Sequence, residues 1–263
     1  MAPKAKARRP KADSAAATPS DQARKGNSTS LNWPSMEPVM VAGDLALDTL
    51  LADQILTVKL WTVALCKSYR TFLATLPLVT TPGRPKRGEA TRVNDRFHVD
   101  DEDFAAKLWS QTALQALITN PVINGVQLGD ADKRNLWGGD VLGLNSNIRI
   151  YRYSKGQFFD QHYDDSNNVS FPSSSSPNAQ PAKTTWTLLL YLSSPATGCQ
   201  GGATIFHPEP SSKRQAAPDP IVAELEVGLA LLHRHGKECL LHEGQEVTDG
   251  EKWVIRTDLC VKR

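Results

Sequence analysis

A histidine and an aspartate separated by one residue, His162-Tyr163-Asp164, form the group in this sequence with the clearest chemical potential. Side chains alternate along an extended strand, so the imidazole and the carboxylate would point to the same side. Such a pair supplies two ligands of the facial triad, two histidines and one carboxylate, that holds non-haem Fe(II). The pair therefore indicates half of a metal site that leaves positions open for substrate and oxygen.

The spacing alone is weak, because the chain holds a second pair of the same form, His98-Val99-Asp100. That second pair runs into a cluster of acids at residues 100–103, followed by an apolar pattern of helical spacing. Acids at a helix start cap the first turn and interact favourably with the helix dipole. We therefore interpret Asp100 or Asp101 as a helix cap and keep His162 and Asp164 as the metal pair.

A third ligand should come from a histidine on a later strand. The candidates are His207, His233, His235 and His242. His242 follows an apolar strand pattern and precedes a hairpin closed by glycine, which favours it. His233 and His235 have no suitably spaced acid and are predicted at a surface strand end, while His207 is predicted to lead into a loop.

Two cations near the C-terminus could bind an anion beside the metal. Lys252, Val254 and Arg256 would share one face of a strand. A cation that points into an apolar cavity is costly unless an anion pairs with it. A dicarboxylate could chelate the metal at one end and pair with the cation at the other. The alternative is that both cations face solvent or pair with Glu251 and Asp258.

Four blocks of sequence, taken together, resemble the catalytic domain of prolyl 4-hydroxylases, a branch of the Fe(II)/2-oxoglutarate-dependent dioxygenases. The resemblance covers residues 90 to 263. The blocks are Tyr153 and Gly156 before His162-x-Asp164, Thr187-Leu-Leu-Leu-Tyr191-Leu192, Gly201-Gly202-Ala203-Thr204-x-Phe206, and His242 followed by Val247, Gly250, Lys252 and Trp253.

The resemblance implies a role for each matching residue. His162, Asp164 and His242 match the iron ligands, and Lys252 matches the lysine that binds the far carboxylate of 2-oxoglutarate. Tyr153 and Thr187 match positions that line the same pocket. Two further assignments are weaker. Arg256 is a second or substitute anchor, and substrate contacts are predicted at Asn94, Arg96 and Asp165, although residues 94 and 96 could equally belong to a loop held by hydrogen bonds.

The implied activity is hydroxylation of an unactivated C–H bond, with 2-oxoglutarate and O2 as co-substrates and release of succinate and CO2. Ascorbate would keep the Fe(II) reduced. A prolyl residue of a protein is the expected substrate. The alternatives are a small metabolite, a nucleic acid, or a non-catalytic metal-binding β-helix protein, because fold and metal site do not choose a substrate.

The elements that must position these residues change type along the chain. Apolar residues recur at helical spacing over residues 44–76, and a second helical pattern begins at Phe104. After Gly139 the chain alternates in short strands separated by Gly, Pro or Ser. We predict an α+β, mainly β fold: a jelly roll with N-terminal helices packed on one face, which the resemblance identifies as a double-stranded β-helix.

Composition sets the domain limits. A single domain is predicted over residues 36–263, with a helical part at 44–120 and a β-helix core at 140–263. Residues 1–35 are predicted to form a disordered basic tail, since residues 1–11 carry five Lys or Arg and no acid. With a net charge of +2, four scattered cysteines and no apolar run of membrane length, we expect a cytoplasmic or nuclear protein that does not bind membranes and is unlikely to bind nucleic acid.

Overall fold

The computed structural model describes residues 31–81, 83, 85, 88–172, 178–210 and 216–263. The predicted disordered tail lies outside this range up to residue 30, so it stays a prediction, as do the predicted domain limits. No helix in the described ranges is long and apolar enough to cross a membrane.

The described residues form four α-helices and nineteen strands. The helices are α1 (Val63–Leu73), α2 (Glu102–Ser110), α3 (Leu114–Thr119) and α4 (Asp130–Trp137). The strands before the metal pair are β1 (Asp48–Leu51), β2 (Ile55–Lys59), β3 (Val79–Thr80), β4 (Arg92–Val93), β5 (Asp95–Asp100), β6 (Val122–Ile123), β7 (Val126–Gln127), β8 (Val141–Leu144), β9 (Asn147–Ser154) and β10 (Phe158–His162). The later strands are β11 (Asn168–Phe171), β12 (Gln180–Tyr191), β13 (Gln200–Gly201), β14 (Thr204–His207), β15 (Ile221–Ala223), β16 (Leu229–Arg234), β17 (Leu241–Gly244), β18 (Val247–Asp249) and β19 (Glu251–Lys262).

Two antiparallel sheets make the jelly roll. The large sheet runs in the order β1-β2-β16-β12-β19-β9-β5-β3, with β11 beside β12 and β8 beside β19. The small sheet runs in the order β15-β14-β17-β10-β4. A buried cluster that includes Tyr151, Val254, Phe206 and Ala223 joins the inner faces of the two sheets. The predicted double-stranded β-helix is confirmed.

The helices cover the outer face of the large sheet, as predicted. Tyr69 in α1 and Phe104 in α2 share one apolar cluster with Ile150, Leu188 and Ile255 of the sheet. Side chains alternate along β9 and β19, so the same strands that pack on the helices present their other face to the space between the sheets. That inner space is where the predicted site residues meet.

The prediction of helix over residues 44–76 is wrong at its start. Only α1 is helical there, and β1 and β2 form a hairpin that joins the edge of the large sheet. Asp53, with φ 58°, lies in the tight turn between them. Four successive residues of β2 are buried because both of its faces are covered, and the resulting run of apolar residues also fits helical spacing.

The interpretation of residues 100–103 as a helix start is confirmed. Asp101 is the N-cap of α2, and its Oδ1 accepts a hydrogen bond of 2.8 Å from the backbone N–H of Phe104. Asp100 ends β5 and accepts a hydrogen bond from the hydroxyl of Ser146. His98 is exposed, so the second His-x-Asp pair forms no buried metal site.

Gly228 joins three strands of the large sheet at one point. Its carbonyl accepts hydrogen bonds from the backbone N–H groups of Leu60 and Trp61, and its own N–H donates to Tyr191. Gly228 has φ +82°, and a Cβ there would lie 2.0 Å from the carbonyl oxygen of Trp61. A side chain therefore has neither the conformation nor the space it needs.

We expect Gly228→Ala to lower the free energy of unfolding by about 3 kcal/mol or more, since a backbone clash adds to the strain of positive φ. Gly156→Ala is the matched control, because Gly156 also has φ +82° but open space around it. The control should lose about 1–2 kcal/mol. Urea unfolding measures both, and equal losses would show that the contact with Trp61 is unimportant.

Candidate metal and co-substrate site

The pairing of β10 with β17 brings two of the predicted ligands together. His162 ends β10 and lies directly opposite His242 in the antiparallel register. Asp164 follows two residues later, where its backbone N–H donates to the Cys239 thiol and its carbonyl accepts from the N–H of Gly236. Strand pairing therefore fixes both imidazoles, and two backbone contacts fix the carboxylate beside them.

The side chains of His162, Asp164 and His242 converge between the sheets. Nε2 of His162 lies 3.9 Å from Oδ1 of Asp164, and Nε2 of His242 lies 3.8 Å from Oδ2. All three residues are buried, and their ligand atoms lie within 4.8 Å of one another. Two imidazoles and one carboxylate at this separation fit the donor set that non-haem Fe(II) takes, so the residues present suit the ion that the sequence predicts.

Each imidazole is held with one nitrogen facing the carboxylate. Nδ1 of His162 contacts the carbonyl of Asp160 at 2.7 Å, and Nδ1 of His242 contacts the carbonyl of Leu240 at 2.9 Å. Because a carbonyl only accepts, Nδ1 carries the hydrogen and Nε2 presents a lone pair. Burial lowers the pKa of both histidines, so both rings are neutral, as metal binding requires.

Asp164 is the charge at the centre of this arrangement. Its Oδ2 accepts from Arg256 at 2.9 Å and from the Thr187 hydroxyl at 3.0 Å. Burial by itself raises the pKa of Asp164, but the Arg256 guanidinium and the nearby imidazoles of His242, His162 and His233 together outweigh burial and hold that pKa well below its usual range. The carboxylate is therefore ionised and available as a ligand.

A chain of hydrogen bonds supports Asp164 from behind. The Thr187 hydroxyl gives its one hydrogen to Asp164, so it accepts the hydrogen of His235 Nδ1 at 3.0 Å. Nε2 of His235 in turn accepts from the Thr184 hydroxyl at 2.9 Å. Thr187 and His235 thus each donate one hydrogen bond and accept another in this series, which fixes the orientation of the Asp164 carboxylate.

Lys252 is a buried cation without a carboxylate partner among the described residues. Its ammonium donates to the carbonyl of Gly202 at 2.6 Å and lies over the rings of Tyr153 and Tyr191, 5.5 and 5.3 Å from their centroids. Burial lowers the pKa of Lys252 to about 8. A buried cation with no counter-ion is costly, and an incoming anion would relieve that cost.

One cavity, which opens to solvent, contains the predicted ligands and both cations. It is lined by Tyr151, Tyr153, Phe159, His162, Asp164, Leu189, Thr204, His233, His242, Glu243, Gly244, Lys252, Val254 and Arg256. The expected shared face of Lys252, Val254 and Arg256 is confirmed, since all three line the cavity. The expectation that the two cations face solvent is excluded by their burial.

Comparison with known proteins identifies the family. Residues 148–257 match the family model described as the 2OG-Fe(II) oxygenase superfamily. The chain carries a domain of the 2OG-Fe(II) oxygenase superfamily. The matched segment contains His162, Asp164, His242 and Lys252, and enzymes of this superfamily use Fe(II), 2-oxoglutarate and O2.

Solved structures of other oxygenases are similar to the structure of this chain, at low sequence identity. A prolyl hydroxylase from Trichoplax adhaerens, in complex with a hypoxia inducible factor peptide fragment, is 14% identical, with 79% of this chain and 84% of that chain covered and a TM-score of 0.49. A Pseudomonas putida prolyl-4-hydroxylase is 15% identical (76% and 85% covered, TM-score 0.44). HygX from Streptomyces hygroscopicus, with nickel and 2-oxoglutarate bound, is 13% identical (80% and 83% covered, TM-score 0.44). A search of curated protein sequences gives no match.

The prediction that His233 and His235 lie at a surface strand end is wrong. Both are buried in the oxygenase, at 2% and 5% exposure. His233 lines the cavity with its Nε2 3.7 Å from Oδ2 of Asp164, so an acid is near after all. The sequence does not indicate this contact, because residues 164 and 233 are 69 positions apart and meet only when the two sheets pack face to face.

The other predicted site residues of the oxygenase lie outside the lining of the cavity. Thr187 does not line the cavity but contacts Asp164 behind it. Asn94 is fully buried and exchanges hydrogen bonds with Thr81, which favours the alternative of a loop held by hydrogen bonds. Arg96 is half-buried in β5 and Asp165 is exposed, and neither lines the cavity; their contact with substrate stays a prediction.

We expect Thr187→Val to weaken metal binding by about 10- to 100-fold, because it removes the hydroxyl that orients Asp164. Thr185→Val is the matched control on the same strand, since the Thr185 hydroxyl is buried and the described residues offer it no hydrogen-bond partner. Titration of the metal-free oxygenase with Co(II), followed by visible absorption, measures both affinities. Equal affinities in the two variants would show that the Thr187 hydroxyl does not support the site.

Proposed function

We propose that this oxygenase hydroxylates a C–H bond of a prolyl residue in a protein, at a metal held by His162, Asp164 and His242. The observation that carries the proposal is one cavity lined both by the triad and by Lys252, a buried cation with no carboxylate partner among the described residues. Iron, when bound, supplies the O2 activation that couples oxidation of 2-oxoglutarate to succinate and CO2 with hydroxylation of the substrate.

Lys252 supports the proposal as the anchor for the distal carboxylate of 2-oxoglutarate. Arg256 already faces two carboxylates, Asp164 at 2.9 Å and Asp258 at 3.7 Å. Lys252 faces no carboxylate of the described residues, so the binding of an added carboxylate is more favourable there. Arg256 then has a different role, which is to neutralise Asp164 and keep it ionised.

The apolar walls of the cavity support a reaction from which water is excluded. Tyr151, Tyr153, Phe159 and Val254 line the same cavity as the ligands and the cations. Apolar walls strengthen the ion pair between Lys252 and a bound carboxylate, since charges interact more strongly away from water. They also limit side reactions of the oxidising centre with solvent.

An open groove at the mouth of the cavity supports a peptide as the substrate. The groove is lined by residues 88–91 together with Asp160, Gln161 and Glu243. Glu243 also lines the cavity, so the groove and the cavity lie next to each other. An extended segment could lie in the groove while one residue enters toward the metal.

We expect the purified protein with Fe(II), ascorbate, O2 and 2-oxoglutarate to release succinate. His162→Ala or Asp164→Ala should lower this rate at least about 100-fold. Loss of a metal ligand should reduce activity more than loss of a residue that hydrogen-bonds to a ligand. His98→Ala, from the exposed His-x-Asp pair, is the control and should retain the rate. Wild-type turnover in either ligand variant would contradict the assignment.

The substrate is tested in the same assay by adding proline-containing peptides, single-stranded nucleic acid or a metabolite extract. The proposal expects peptides to stimulate succinate release and to gain 16 Da on proline. Stimulation by nucleic acid or metabolites alone would reject the prolyl substrate while leaving the oxygenase chemistry intact.

The pH dependence tests Lys252. Only the protonated amine binds a carboxylate, so kcat/KM for 2-oxoglutarate should fall as pH rises through about 8, by about tenfold per pH unit well above it. In Lys252→Arg the guanidinium stays charged, and the fall should vanish. An equal fall in both proteins, or a flat wild-type profile to pH 9.5, would show that Lys252 is not the anchor.

A further inference from the structure

A row of side chains on the inner face of the large sheet leads from the cavity to the next strand. Val254 of β19 lies directly opposite Tyr151 of β9, and Tyr151 lies directly opposite Arg96 of β5. Residues directly opposite each other in an antiparallel sheet share one face. Val254 and Tyr151 line the cavity, so Arg96 faces the same side of the sheet, one strand further out.

Arg92 approaches Tyr151 from the small sheet. It lies in β4, directly opposite Phe159 of β10. Its guanidinium carbon is 5.1 Å from the ring centroid of Phe159 and 6.0 Å from that of Tyr151. Both rings line the cavity, so two arginines from different sheets, Arg92 and Arg96, lie next to the cavity at Tyr151.

The surroundings of Tyr151 favour negative charge. Burial raises the pKa of Tyr151, but four nearby guanidinium groups together hold that pKa below its usual value. They belong to Arg256, Arg149, Arg92 and Arg96. Arg256 and Arg149 are already paired with the carboxylates of the protein that lie behind the cavity. An anion that enters from outside would therefore meet the other two.

Arg96 is half-buried, and the described residues give its side chain neither an ion pair nor a hydrogen bond. Its neighbour Asp95 points to the opposite face of β5, where it pairs with Arg152 at 2.7 Å. An arginine that served only to reach solvent would gain nothing beside other guanidinium groups, because like charges repel. A carboxylate would relieve that repulsion, since its two oxygens match the planar fork of N–H groups on arginine.

The carboxylates at the mouth lie on the other sheet. Asp160 and Glu243 line the groove and belong to β10 and β17 of the small sheet. An acidic residue of the substrate would be repelled there and attracted toward Arg96. Adjacent strands are about 4.8 Å apart, and an extended chain rises about 3.3 Å per residue. Arg96 is therefore within reach of a side chain about one or two residues from the residue that reacts.

We propose that Arg96, with Arg92 beside it, binds a carboxylate of the substrate, so that the preferred target is a proline with Asp or Glu within about two residues. The inference rests on the proposed function, because it names the kind of peptide that the oxygenase takes. In this role Arg96 determines specificity and contacts none of the reacting atoms.

Paired peptides test this by binding without turnover. Fluorescence anisotropy gives the affinity of labelled peptides for the protein with Mn(II) and 2-oxoglutarate, in the absence of oxygen. Peptides with Glu one or two residues before or after the proline form one set, and the same peptides with Gln form the other. In at least one of these positions Glu should bind about tenfold more tightly than Gln, because a charge-assisted bond to arginine is lost with Gln.

Substitutions at Arg96 should change this preference. Arg96→Gln should bind the Glu and Gln peptides equally, and Arg96→Glu should favour Lys over Glu at the same position. Lys67→Glu is the control, because it makes the same change of charge at an exposed position of α1, on the outer face of the large sheet. It should keep the preference for Glu. Each ratio is measured within one variant, so a partial loss of folded protein does not alter it.

The wild-type protein decides the inference even if both substitutions at Arg96 disturb folding. Equal affinity for Glu and Gln at every position, a preference for Lys, or no binding of any peptide would overturn it. The gain of 16 Da on proline in the presence of Fe(II) and O2 tests the proposed function separately. Hydroxylation of both sets with equal affinity would reject only the role of Arg96. A preference for Glu without hydroxylation would reject only the prolyl substrate.

Discussion

The buried negative charge of Asp164 is the constraint on which the site depends. An ionised carboxylate between two sheets is stable only with partners, and here Arg256, Thr187 and three imidazoles face it. The strands supply these partners from different parts of the chain, through the pairing of β10 with β17 and of β12 with β16 and β19. The large sheet, with helices on its outer face, is the rigid frame that holds them.

The two buried cations of the cavity, Arg256 and Lys252, differ in their partners. Arg256 pairs with Asp164 and Asp258, and Arg149 also pairs with Asp258, so two guanidinium groups balance the two carboxylates. Within the part of the chain that the structure describes, the partners of Lys252 are a carbonyl and two aromatic faces, and burial lowers its pKa to about 8. In this cavity one cation is paired with carboxylates and the other has no carboxylate partner among the described residues, so binding of one additional anion would be favourable.

Much of this site could be predicted from the sequence, because its clearest signals are local. His162 and Asp164 are two positions apart, and Lys252 and Arg256 share one face through the alternation of β19. The fold class followed from short strands separated by turn residues. The hairpin of β1 and β2 was missed, because a strand buried on both faces has the same apolar run as a helix. His233 was missed because its contact with Asp164 exists only after the large and small sheets pack together.

A crystal structure of the protein with Mn(II) and 2-oxoglutarate, grown without oxygen, tests the central claim most directly. Anomalous scattering at the manganese edge should give one peak in contact with His162, Asp164 and His242. The distal carboxylate of 2-oxoglutarate should contact the Lys252 ammonium. A peak elsewhere, or a distal carboxylate bound by Arg256 with Lys252 still on the carbonyl of Gly202, would contradict it.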